Sequence, residues 1–149
     1  MVVNKQFAGM LGQSIMDCMT YNKPTVVLCS GTIPDDPTWN TVDNSTITTN
    51  GSFIYNQTIA TILLSGSGFS LLDTAAVPPL WYLNSNTAYT VSAAKAGTIG
   101  WAVVYFPSTY IFAMDVSLPN QGGAVQVDKT TVAVGDVITI MGLSVSVWR

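Results

Sequence analysis

The sequence predicts an all-β fold, an antiparallel, jelly-roll-like β-sandwich preceded by one N-terminal amphipathic helix. Three observations lead there. Short apolar runs recur with Gly, Pro or Asn turn signals roughly every ten residues, the spacing of a sandwich or barrel. Leu143 to Trp148 alternates cleanly, with Leu143, Val145 and Val147 set against Ser144 and Ser146. The stretch Ala96 to Leu118 contains two longer apolar runs around a break at Pro107-Ser108-Thr109, and it is apolar on both faces. Trp101, Val103 and Tyr105 project to one side, and Ala102, Val104 and Phe106 to the other, because side chains alternate across a strand. A one-sided surface hairpin alternates apolar with polar. This segment is therefore either a central strand pair or a subunit interface.

The chain has 149 residues, the size of one domain. Residues 1–23 are assigned to the helix, packed on the domain, and residues 24–149 to the β-sandwich. Apolar residues make up 48% and charged residues 9%, against roughly 25% charged in ordinary domains. The net charge is −3, and Lys5, Lys23, Lys95, Lys129 and Arg149 are scattered. No basic stripe exists to neutralise phosphates, so nucleic acid is not an expected partner. Sparse charge gives weak electrostatic defence against association, which favours a homo-oligomer or larger assembly. Met1 to Met19 lacks a signal-peptide pattern, and no apolar run reaches the length of a membrane helix, so no membrane association is expected. Asn44, Asn50 and Asn56 begin Asn-x-Ser/Thr triplets. They are read as accidental in a chain rich in Asn and Thr.

In the first segment Asn4 is the N-cap, and Phe7, Met10, Leu11, Ile15, Cys18 and Met19 form a stripe at helical spacing. Gly9 and Gly12 weaken that helix, and Asn22-Lys23-Pro24 ends it. The stripe is either core or a surface for a neighbouring subunit. Thr25 to Ser30 is the first strand. Gly31 to Asn40 is a loop punctuated by Pro34 and Pro37, and Thr41 to Gln57 a polar loop or irregular hairpin turning at Asn50-Gly51. Thr58 to Leu64 is a strand, and Leu80 to Leu83 a short one. Asn84 to Ala96 is polar with small side chains and feeds the central pair. After the central pair, Pro119 to Gly123 is a turn. Ala124 to Asp128 is a strand, Val134-Gly135-Asp136 a turn, and Val137 to Met141 and Leu143 to Trp148 two further strands. Cys18 and Cys29 read as buried small apolar residues; a helix-to-strand disulfide is the alternative.

Histidine and glutamate are absent. That removes the commonest general base, the usual hydrolase triad and most zinc sites. The eight acidic residues are aspartates, mostly at turns, where they are ordinary turn formers. No catalytic, cofactor or metal residues are assigned, no cofactor is expected, and the chain is not read as an enzyme. Trp39 and Trp81 stand in loops beside prolines and are candidates for exposed contact with a sugar or a protein. Aromatic enrichment at interface centres favours protein. The candidate interface set is Phe7, Leu11, Ile15, Trp39, Trp81, Phe106, Tyr110 and Phe112.

Taken in order, several motifs resemble those of small phage virion structural proteins. Val26 to Pro34 follows an N-terminal helix, and Ile62-Leu63-Leu64-Ser65 comes later. Then follow Ala96-Gly97-Thr98 with Trp101 and Tyr105, Asp115, Gly122-Gly123, Val125 to Val127, Gly135 with Val137 and Ile140, and the final strand Leu143 to Trp148. The region from Asp35 to Gln57 is unmatched. Ala102 and Val103 replace the polar or basic residue that often follows the Trp, and Phe106-Pro107 replaces a polar turn. The resemblance implies a non-enzymatic component of the virion, assembled in the host cytoplasm. Its most concrete form is a capsid decoration or cement protein that binds the major capsid protein or other virion proteins. A tail, baseplate or collar component is one alternative. A glycan-binding adhesin module is the alternative of another class.

Overall fold

The structure, a computed structural model, describes residues 25–33, 57–64, 69–71, 82–85, 89–105 and 111–146. These contain ten strands and no helical element. The strands are β1 (Thr25–Ser30), β2 (Thr58–Leu63), β3 (Phe69–Leu71), β4 (Tyr82–Ser85), β5 (Tyr89–Ser92), β6 (Gly97–Tyr105), β7 (Ile111–Ser117), β8 (Val125–Val127), β9 (Thr131–Val132) and β10 (Val137–Ser146). The all-β class expected from the sequence holds. The N-terminal helix assigned to residues 1–23 lies outside the described residues.

The strands run in the order β2-β1-β6-β7-β8-β10-β4-β3, with β5 paired to β10 and β9 to β6. Beyond that ladder, Ala94 N donates to Ile59 O at 2.8 Å, which brings the end of β5 against β2. The sheet thus curls nearly to closure around one interior. The two separate sheets of a sandwich are not shown among the described residues, because β7 to β8 and β5 to β2 link what would have been the two layers.

Three one-residue bulges accomplish the curling. A bulge adds a residue to one strand, bends it and increases its twist. Across β1 and β6, Cys29 faces Trp101 but Ser30 faces Ile99, so Gly100 is the extra residue. Across β1 and β2, Leu28 faces Ala60 but Cys29 faces Thr58, leaving Ile59 extra. Across β8 and β10, Val127 faces Ile140 but Gln126 faces Gly142, leaving Met141 extra. Each bulge reverses the in/out parity of its strand. Ile138 and Ile140 before Met141, and Leu143 after it, consequently all enter the same core. The sequence reading placed two strands at Val137 to Met141 and Leu143 to Trp148. They are one strand, Val137–Ser146, bent at Met141.

The interior is lined by Val26, Leu28, Ile59, Leu64, Ile99, Ala102, Val104, Val125, Val127, Ile138, Ile140 and Leu143, all buried. Val27, Cys29, Trp101 and Val103 project from the opposite face of β1 and β6 and are buried as a second cluster. The central strand is therefore covered on both faces within one chain, and the apolarity of β6 on both sides needs no second subunit.

The neighbours β7 and β8 run parallel, with Val116 opposite Val125. The sequence reading made Pro119 to Gly123 a turn, and Gln121 N donates to Leu118 O at 3.3 Å there. Asn120 and Gly122 take left-handed backbone angles, φ 66° and 85°. The chain leaves this turn to run alongside β7 in the same direction. Ser117 Oγ clamps the crossing: it accepts from Gly123 N at 3.0 Å and donates to Leu118 O at 2.9 Å. A Cβ on Gly123 would stand 2.6 Å from Ser117 Oγ and 2.9 Å from Ser117 N. Gly123→Ala is expected to destabilise the fold by about 1–3 kcal/mol, the cost of overpacking a tight site. Urea unfolding followed by far-UV circular dichroism measures it.

Candidate functional site

The described surface carries apolar side chains at one end of the curled sheet. The segment between β5 and β6 and the turn between β9 and β10 meet there. Gly135 N donates to Ala93 O at 2.8 Å, and Ala93 N donates to Asp136 O at 2.9 Å. Within the second turn, Asp136 N donates to Ala133 O at 3.1 Å and Asp136 Oδ2 accepts from Ala133 N at 2.9 Å. Asp136 is thus a turn former, as its place in the sequence suggests. Asp128 instead ties the end of β8 to β10: its N donates to Thr139 O at 3.0 Å and its Oδ1 accepts from Thr139 N at 2.7 Å.

On this braced frame Ala94, Ala96 and Ala133 are exposed. Val134 is 69% exposed and Val137 51%. Further along β10, the bulge leaves Met141 52% exposed, and on β2 Leu63 is 63% exposed. Lys95 and Asp136 are the charged residues in the two connecting segments. Such a surface has short side chains that lose little entropy on contact and few charges to desolvate. It can present fixed apolar area to another protein.

Of the expected contact residues, Phe7, Leu11, Ile15, Trp39, Trp81, Phe106 and Tyr110 lie outside the described residues. Phe112 lies in β7, in register with Val104 of β6. The rim residues Val134 and Val137 were not singled out in the sequence. The cue was the alternation of Val137, Thr139 and Met141 against Ile138 and Ile140, which assigns the former set to the outer face.

Among the described residues no group of three or more metal-binding side chains converges. No described helix is long and apolar enough to cross a membrane. Cys29 is a free, buried thiol whose Sγ lies 3.7 Å from Val27 O. Cys18, its partner in the alternative disulfide reading, lies outside the described residues. Burial pushes the Cys29 thiol up to about 12, because the thiolate would lose its hydration. Thiol reagents attack the thiolate. Native protein at pH 8 is therefore expected to leave Cys29 unmodified by a disulfide reagent over a time in which urea-unfolded protein reacts fully. The same shift makes stability fall with rising pH. Below the thiol's ordinary range both states hold the proton and nothing changes. From about pH 9 towards 12 the unfolded state ionises while the folded state does not, and the fold loses stability.

No protein-family model matches the chain, and neither do curated protein sequences or solved structures.

Proposed function

We propose that this chain is a non-enzymatic structural protein of a phage particle, in its most concrete form a decoration or cement protein seated on the capsid shell. The observation that carries the reading is the ordered run of motifs from Ala96 to Trp148. Its described members lie on β6 to β10 and on the turns between them. The apolar rim of Val134 and Val137 supports it, as a braced, nearly uncharged surface suited to burial against coat subunits. Burial contributes on the order of 25 cal/mol per Å² of apolar area before association costs, and repetition over a lattice adds avidity. The partner is the major capsid protein or another virion protein, and several copies of this chain act together.

The finer architecture belongs to the same reading. Residues 1–23 form the amphipathic helix, and the nearly closed sheet is a jelly-roll-like sandwich. In support, β10 pairs with β5 through Val137 to Ile140 and with β4 through Ser144 to Ser146, on either side of the Met141 bulge. Strands that serve two sheets turn the corner by such bulges.

Immunogold labelling or cryo-EM of purified particles tests the reading. Density or label over the head is expected, and the double variant Val134→Asp, Val137→Asp should fold but leave the particle fraction. Label on the tail would move the protein to a tail, baseplate or collar role. Absence from particles, with binding to host glycans, would replace the reading with an adhesin.

A further inference from the structure

We draw no further inference here: the strongest candidate, the exposed apolar strip of Val134, Val137 and Met141 along the outer face of β10 and the turn before it, belongs to the site already described, and nothing in the structure shows what covers it.

Discussion

Gly100→Ala is expected to destabilise the protein by about 3 kcal/mol or more, at or beyond the upper end of ordinary overpacking costs. For a chain of this size that lowers the thermal midpoint by roughly 6–12 °C, at about 2–4 °C per kcal/mol. The cause is a backbone-on-backbone approach. Gly100 is the extra residue of the β1–β6 bulge, and a Cβ there would overlap severely with the carbonyl oxygen of Gly31. A flexible side chain could swing aside, but this oxygen belongs to a backbone that already turns through φ 83° at Gly31. Relief requires the two strands to separate beside Trp101 and Ile99, both of which are buried. Gly122→Ala is the control. Its φ is 85° but nothing stands within 4 Å of the added Cβ. It should cost only the left-handed strain, about 1–2 kcal/mol. Calorimetry of the two variants separates the effects. Equal losses would mean that the strands give way around the added Cβ at little cost, since Gly100 lies outside the left-handed region.

The same bulge explains which parts of the fold were legible. Thr25–Ser30 is the strand the sequence marks, because Pro24 and Gly31 bracket a continuous apolar run. The two-faced character of β6 was readable from Trp101 to Val104, where alternation is unbroken. Ile99 was not assignable by counting back from Trp101, since Gly100 shifts the parity by one. Met141 did the same to β10 and split one strand into two. The Pro119 to Gly123 turn was readable from its residues, but its outcome was not. A Gly-rich turn suggests an antiparallel return, whereas here the Ser117 clamp on Gly123 accompanies a parallel pair. The strand β5 was missed because Thr90 and Ser92 are exposed on an outer face and leave only Tyr89 and Val91 as apolar cues. The candidate site was less legible than the fold. A rim of Ala and Val has no chemical signature in a sequence, and hydrogen bonds between residues 93 and 136 assemble it from two distant segments.

Trp101→Ala is expected to cost about 3–5 kcal/mol, the range for deleting a large buried aromatic. That is a large share of the roughly 5–15 kcal/mol by which domains are stable. Trp101 is 1% exposed and heads the largest fully buried side chains. Its position joins three strands, opposite Cys29 on β1 and Asp115 on β7. Its Nε1 donates to Ser30 O at 2.9 Å, just where the β1–β6 register shifts. The indole therefore fills the outer cluster and also satisfies a carbonyl beside the bulge. Trp101→Phe divides these roles. It retains most of the apolar volume and leaves the Ser30 carbonyl without its donor, a loss of about 1–3 kcal/mol. Denaturant unfolding followed by far-UV circular dichroism measures both without relying on the fluorophore being removed. If Trp101→Ala lies within about 1 kcal/mol of the parent, the outer cluster is a surface rather than a second core. If Trp101→Phe costs as much as Trp101→Ala, the hydrogen bond at the bulge, and not the packed area, holds the two central strands in register.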